Sequence, residues 1–281
     1  MNHVLTEDSV YFANQVTAHE RVLVLTGAGC STGSGIPDYR DRSRAWKRPP
    51  PMHIPEFLSS EEARKRYWAR SMVGWKTFSR ARPNAVHHGL AALERAQWIS
   101  CLVTQNVDGL HQRAGSVHVI DLHGRLQDVV CLDCRQKTLR SEVQEQLEAL
   151  NSNWHYAHTT IAPDGDVDLE GADYTQFELA HCKLCGGRLK PDVVFFGENV
   201  PRTRVSTAMS ELEQADALMI IGSSLSVFSG YRFVRAALKF GQPVYIVNDG
   251  ETRADDDATL KISGDAGQVI DQLQINLGIQ P

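Results

Sequence analysis

The stretch Val22-Leu-Val-Leu-Thr-Gly-Ala-Gly-Cys-Ser-Thr-Gly-Ser-Gly-Ile-Pro-Asp-Tyr-Arg40 sets a run of Val, Leu and Thr directly against Gly-Ala-Gly. A short apolar run that ends in glycine is the pattern of a buried parallel strand feeding a tight turn. Comparable runs recur at Ile99–Thr104, Ala217–Gly222 and Pro243–Asn248. Between them, helical periodicity appears at Glu61–Phe78, Asn84–Arg95, Thr203–Gln214, Tyr231–Phe240 and Gly267–Leu273. Strands alternating with helices predict an α/β fold built on a doubly wound parallel sheet. Two regions interrupt the alternation. Ile36–Phe57 is rich in Pro, Arg and Asp with little periodicity, which predicts a long functional loop. Cys131–Cys185 carries two Cys pairs around a polar stretch with turn signals at Pro163, Asp164 and Gly165, and reads as an inserted small domain.

Length and composition bound the alternatives. The 281 residues fit two domains of roughly 150 residues, or one large domain with an insert. With 42% hydrophobic and 22% charged residues, the chain has material for a real core and is neither fibrous nor wholly disordered. Lys and Arg number 29 against 34 Asp and Glu, a formal charge of −5. That balance gives no general attraction to nucleic acid or to an anionic membrane. No apolar run approaches the roughly 18 residues of a membrane span. The first residues, MNHVLTEDSVYFANQ, include Glu7 and Asp8 and lack a basic segment followed by an apolar one, so they read as neither a secretory signal nor a transit peptide. Four of the six Cys fall in Cys-x-x-Cys pairs, which favours metal or redox chemistry in a reducing compartment, and a cytoplasmic location is expected.

Cys131-x-x-Cys134 and Cys182-x-x-Cys185 supply four thiolates in two knuckles, a tetrahedral set for one zinc ion, and Gly186 and Gly187 give the second knuckle its turn. With every position taken by protein sulfur, such a metal is structural. The alternative is a redox dithiol or two unrelated pairs. Cys101, inside a strand, reads as inert core, and Cys30 as a small packed residue of the glycine loop.

The glycine loop matches a dinucleotide fingerprint incompletely. Its third glycine comes one residue late, and no acidic residue ends a second strand about twenty positions on, so a tight structural turn fits as well as a nucleotide site. The continuation separates them. GAGCSTGSGIPDYR (27–40), TQNVDGLH (104–111), LHG (122–124), the Cys pairs, PDVVFFGE (191–198), GSSLSV (222–227) and IVND (246–249) stand in the order seen in sirtuins, the NAD-dependent protein-lysine deacylases, which this chain resembles over nearly its whole length. RYWAR (66–70), GWKTF and APDGDV look like the class II branch, especially its sirtuin-four-like subgroup. The resemblance implies a Rossmann-like NAD-binding domain over 1–124 and 190–281, with a helical part at about 41–80, and a zinc module over 125–189. It implies NAD and one structural zinc as cofactors, and acyl-lysine proteins as substrates.

It also implies roles for particular residues. His123 takes a proton from a ribose hydroxyl, for which a neutral imidazole with an ordinary pKa near 6.5 is suited. Asn106, assigned with it to catalysis, holds a ribose hydroxyl or a water. Gln105 and Asp108 line the same pocket, and Asp108 with Ile36 grips the carboxamide of nicotinamide. Gly27, Ala28, Gly29, Ser31, Asp38, Tyr39 and Arg40 belong to the cofactor site, as do Gly222, Ser223 and Ser224. Asn248 and Asp249 take the adenosine ribose, and Ala266 backs the adenine. Val194, Phe195, Phe196, Gly197, Leu225 and Val227 lie on two strands that sandwich the substrate peptide by β-augmentation.

Tyr67 and Arg70, spaced i,i+3, can share a helix face and look like a Tyr-x-x-Arg pair that recognises an acidic acyl group. The alternative for Arg70 is a solvated helix face amid Arg64, Lys65 and Arg66. Three other functions stay open: ADP-ribosyl transfer at the same NAD site, a non-catalytic zinc-ribbon binding module, and an ordinary NAD dehydrogenase. The acidic pI and few basic residues around the Cys pairs speak against the module. The broken fingerprint speaks against the dehydrogenase.

Overall fold

The computed structural model describes residues 7–154, 161–169 and 171–279. Its strands are β1 (Val22–Thr26), β2 (Ile99–Thr104), β3 (Val119–Asp121), β4 (Gly124–Cys131), β5 (Lys137–Leu139), β6 (Leu189–Val193), β7 (Ala217–Ile221), β8 (Val244–Val247) and β9 (Leu260–Ile262). Its helices are α1 (Glu7–Val16), α2 (Ile54–Ser59), α3 (Glu61–Phe78), α4 (Ala85–Arg95), α5 (Leu110–Ala114), α6 (Arg140–Leu150), α7 (Arg202–Glu213), α8 (Phe228–Phe240) and α9 (Ala266–Asn276).

Six strands form one parallel sheet in the order β3-β2-β1-β7-β8-β9. Side chains alternate across it, as the pleat requires. Val22 and Val24 of β1, Met219 and Ile221 of β7, and Tyr245 and Val247 of β8 pack on α1, α4 and α9. Leu23, Leu25, Leu218, Ile220, Val244 and Ile246 point the other way, onto α7 and α8. Both faces are therefore covered, which is why these strands read as continuous apolar runs. The predicted α/β doubly wound sheet is what forms. The short edge strands β3 and β9 and the helix α1 were not anticipated, because three-residue strands leave no readable run.

The second sheet is antiparallel, in the order β5-β4-β6. Phe57 of α2 and Tyr67, Trp68 and Met72 of α3 share a buried core with Val129 of β4, Val143 of α6 and Leu189 of β6. The helical part at 41–80, expected to belong to the large sheet's domain, thus packs on the small one. Its apolar face meets the small sheet because both faces of the large sheet are already filled.

Helices α4 and α9 approach so closely at Gly89 that a Cβ there would collide with Ile270. Gly89→Val is expected to lower the unfolding free energy by about 2 kcal/mol, since overpacking outweighs a few tenths gained in helix propensity. Urea denaturation measures this, and an unchanged midpoint would contradict the packing.

Candidate active site and cysteine cluster

Strand order reverses beside β1: the chain proceeds through β2 to β3 on one side and through β7 to β9 on the other. Loops leaving the carboxyl ends of β1 and β7 diverge there and open a crevice, the usual ligand position of such sheets. Three glycines let the loops meet. Gly29 N–H donates to Gly222 O at 2.8 Å. A Cβ on Gly27 would lie 2.7 Å from Gly222 O, and one on Gly222 would lie 2.5 Å from Cys30 N. Gly222 also has φ +61°. After Gly27 the chain forms a 3₁₀ turn, Ala28–Ser34, rather than an α-helix. The cavity beside these loops measures about 1350 Å³ out to its mouth.

On its β2 side stand Gln105, Asn106 and Asp108. Asn106 Nδ2 donates to Gly27 O (3.0 Å) and Ser31 Oγ (3.1 Å), and Ser31 Oγ donates to Asp108 Oδ2 (2.7 Å). Burial pushes the Asp108 carboxyl up, against the hydrogen bonds from Ser31 and Leu110 N. Gln105 Nε2 donates to Ser223 Oγ at 2.8 Å, tying the β2 loop to the β7 loop.

His123 lies between β3 and β4 on the cavity wall. Its Nδ1 is 2.9 Å from Gln105 O, and its Nε2 is 2.8 Å from Ser229 Oγ. A carbonyl only accepts, so Nδ1 carries the proton and Nε2 presents a lone pair to a hydroxyl. Desolvation pushes the ring down to about 4, so it is neutral at physiological pH. The residue is half-buried on that wall. Ser229, at the start of α8, was not foreseen, because nothing local in the sequence pairs it with a residue so far upstream.

Gly27, Ala28, Gly29, Ser31 and Ile36 line the cavity, followed by Asp38, Tyr39 and Arg40. Asp38 pairs with Lys47, and Arg40 stacks 3.9 Å over the Trp46 ring while donating to Arg44 O. Gly222, Ser223, Ser224, Asn248 and Asp249 complete this rim. Ala266 does not line the cavity. It begins α9, beyond the edge strand β9, one strand farther from the crossing point than β8.

Val194, Phe195, Phe196, Leu225 and Val227 line the cavity, but Gly197 does not. Neither segment is a strand, contrary to expectation. β6 ends at Val193, and Glu198 N–H turns back to Phe195 O. Leu225 has φ +54°, which breaks extended backbone. Lys190 and Glu198 shape the first segment: the ammonium sits 3.1 Å from the carboxylate, which accepts Phe195 N–H at 2.9 Å.

Tyr67 is on the wall, but Arg70 is not. Arg70 ion-pairs with Asp166 (3.0 Å) and Asp168 (2.7 Å) and donates to Val167 O (2.8 Å). The expectation that it faces an acyl carboxylate is corrected accordingly: its charge is already paired inside the chain. Asp164 and Asp166, which line the cavity, lie in the APDGDV stretch, where the sequence shows a turn signal at Asp164 and a class II resemblance but no site role.

The four pair cysteines converge at the far end of β4. Their sulfur atoms all lie within 4.8 Å of one another, with Cys131–Cys185 at 3.6 Å and Cys134–Cys182 at 3.7 Å. A tetrahedron of sulfurs around zinc at about 2.3 Å has edges of roughly 3.8 Å, so the set fits one zinc ion. Each knuckle is closed by a backbone bond, Arg135 N to Cys131 O and Gly186 N to Cys182 O. Cys131 and Gly124 lie opposite Leu189 and Val193, four strand steps of about 3.3 Å apart on β6, so the cluster stands more than about 10 Å from His123 and has a structural role.

The profile of the Sir2 family matches residues 27–229. The NAD-dependent protein deacetylase 2 of Bradyrhizobium diazoefficiens is 57% identical over 247 residues, covering 88% of this chain and 90% of that protein. An NAD-dependent protein deacetylase of Xanthomonas campestris is 51% identical over 274 residues, covering 98% and 94%. A solved Sir2 with a p53 peptide and NAD+ is 31% identical with a TM-score of 0.75, covering 96% of this chain and 98% of that one. A doubly wound α/β fold with a crevice at its switch point and a four-cysteine cluster defines the class. The chain belongs to the Sir2 family.

Purified protein is expected to carry about one zinc per chain. In Cys182→Ser the metal content should fall toward zero and the thermal midpoint should drop. Metal analysis with a melting curve checks both, and full stability of a zinc-free variant would contradict the structural role.

Proposed function

We infer that the protein is an NAD-dependent protein-lysine deacylase. The observation that carries this reading is His123, a neutral base with its acceptor nitrogen on the wall of a switch-point cavity. The Sir2 membership and the deacetylase relatives support the same reading. The site suits NAD on this chain's own geometry: the glycines bring the β1 and β7 loops together, so that backbone and small residues line the place where a pyrophosphate would sit. NAD, when bound, supplies the ribose carbon that takes the acyl oxygen of an acyl-lysine as nicotinamide leaves, and the acyl group ends on ADP-ribose.

The residues divide that work. His123 Nε2, now on Ser229 Oγ, would accept a proton from a ribose hydroxyl, and Gln105 O would steady the imidazolium through Nδ1. The Asn106–Ser31–Asp108 chain would hold the nicotinamide end in a fixed polar frame, with Ile36 beside it. Arg40, Ala28 and Ser223–Ser224, which line the cavity, would bind the phosphates, and Asn248 and Asp249 the far ribose. Val194–Phe196 and Leu225–Val227 take the substrate backbone from the two sides of the cavity mouth. The resemblance of RYWAR and APDGDV supports, as a further part of the proposal, membership of class II near the sirtuin-four-like subgroup. The proposal divides the chain into an NAD-binding unit (1–124 and 190–281), whose helices α2 and α3 cover the small sheet, and a zinc module (125–189), in a cytoplasm whose reducing conditions keep the four thiols available.

Purified protein, NAD and acyl-lysine peptides should yield deacylated peptide, nicotinamide and O-acyl-ADP-ribose by mass spectrometry. ADP-ribosylated protein without deacylated peptide would instead favour ADP-ribosyl transfer. His123→Ala should lower turnover at least about a hundredfold; unchanged turnover would overturn the mechanism. The base works in its neutral form, which persists above its pKa. The acid limb assigned to His123 in kcat/KM should therefore fall as pH drops through about 4, not through the ordinary 6.5.

A further inference from the structure

Part of the cavity wall is a hairpin, 161–169, that the assigned roles leave unused. Ile161 and Val167 face each other in an antiparallel bridge, Ala162 N–H donates to Asp166 O at 2.7 Å, and Gly165 turns the chain with φ +73°. The hairpin is docked on α3. Gly74 lacks a side chain where Gly165 O lies, and a Cβ there would collide with it. One turn earlier on α3, Arg70 holds the descending arm through Val167 O, Asp166 and Asp168. The docked tip presents Pro163, Asp164 and Asp166 to the cavity.

We propose that Asp164 and Asp166 determine acyl specificity, excluding acyl chains that end in a carboxylate and admitting uncharged ones. This rests on the deacylase reading and deepens it. The pair belongs to the part of the cavity that contains Tyr67, itself packed edge-to-face on Phe57 and 5.2 Å from the Phe195 ring, so an acyl chain reaching past the lysine channel meets aromatic walls and then two carboxyl groups. Tyr39 and Tyr67 both feel Asp164, after burial, in the upward push on their phenols. Burial and the neighbouring Asp164 charge hold Asp166 up at about 7, against the pull of Arg70. Asp164 is raised by burial, with Arg70 and Arg48 opposing.

The cations near the pair do not rescue an acidic chain. Neither Arg70 nor Arg48 lines the cavity, and Arg40 is the one Lys or Arg among the described lining residues, held over Trp46 on the NAD side. A third carboxylate brought to this wall would meet like charge in a partly desolvated space, which disfavours its binding.

The test compares kcat/KM for one peptide bearing acetyl-, butyryl-, succinyl- or glutaryl-lysine, with NAD, for the full chain and its variants at pH 8. Wild type should prefer acetyl and butyryl to succinyl and glutaryl by at least about fiftyfold. Asp164→Asn/Asp166→Asn should narrow that ratio at least about tenfold, chiefly through KM for the acidic peptides. Asp168→Asn, which keeps both cavity carboxyls, should leave the ratio in place. Because each ratio is taken within one variant, loss of folded protein cancels. Equal wild-type turnover of acetyl and succinyl, a ratio unmoved in the double variant, or a selective loss of succinyl turnover in Arg70→Ala would overturn the proposal alone. Absence of NAD-dependent turnover of any of the peptides by wild type would overturn the deacylase reading, and this inference with it.

Discussion

The close approach of Gly27 and Gly29 to Gly222 is the contact on which the site depends. Backbone meets backbone at 2.8 Å between Gly29 N and Gly222 O, and a methyl group at any of the three positions would force the loops apart. The loops descend from adjacent central strands, so their separation sets the width of the crevice. The polar frame follows from it. Asn106 reaches Gly27 O because that carbonyl is held by the turn, and Gln105 reaches Ser223 because the β7 loop sits against the β1 loop. A shift of one loop would break hydrogen bonds on both sides of the cavity.

Beneath this cradle the chain buries histidines rather than apolar side chains. His111 Nε2 meets Thr26 Oγ1 at 2.9 Å, and its ring lies 4.7 Å from that of His87. His87 Nδ1 is 2.9 Å from Asn84 Oδ1, and Asn84 Nδ2 donates to Cys30 O, so hydrogen bonds joined by one ring-to-ring contact run from β1 to the underside of the glycine loop. Burial lowers His87 to about 4 and His111 well below its ordinary value. A group lowered in the fold is protonated first in the unfolded chain, near 6.5, as pH falls. The native state therefore loses stability between about pH 6.5 and 4 and keeps it above. Neutral imidazoles serve here as compact, directional hydrogen-bonding groups under a loop that Cys30 and Ser31 anchor from above through Ile221 O and Asp108.

How far the sequence reveals this depends on the range of each interaction. β1, β2, β7 and β8 are legible because burial on two faces writes itself as a continuous apolar run. Helix α3 is legible from periodicity, while its cap is seen only in the structure, where the Ser60 hydroxyl accepts Ala63 N–H. The Cys knuckles are legible because each is local and tightly spaced. What local pattern cannot carry is pairing across the fold. Arg70 reads as a binding cation or a solvated one, whereas its partners Asp166 and Asp168 arrive from a distant hairpin. Residues 194–198 look like a strand by composition, yet the Glu198 carboxylate and Lys190 bend them into a turn. Ala266 fits a motif position but starts beyond an edge strand too short to be seen.

The distance between the cysteine cluster and His123 does not make the two independent. β4 starts at Gly124, directly after His123, and ends at Cys131. Its partner β6 runs back from Leu189, opposite Cys131, to Val193, opposite Gly124. Val194 N–H then donates to His123 O at 2.8 Å, so the base and the start of the 194–198 segment leave the same end of one strand pair. Gly124 makes this possible: it takes φ +81°, and a Cβ there would collide with Asp192 O. A zinc ion at the other end would hold Cys131 opposite Leu189, and a slip there would turn the side chains of the regularly paired stretch Val129–Cys131 to the opposite face. Between Val129 and Gly124 extra residues of β4 break the ladder, so the metal would act on the cavity chiefly through the short strand β6, which leads directly into Val194.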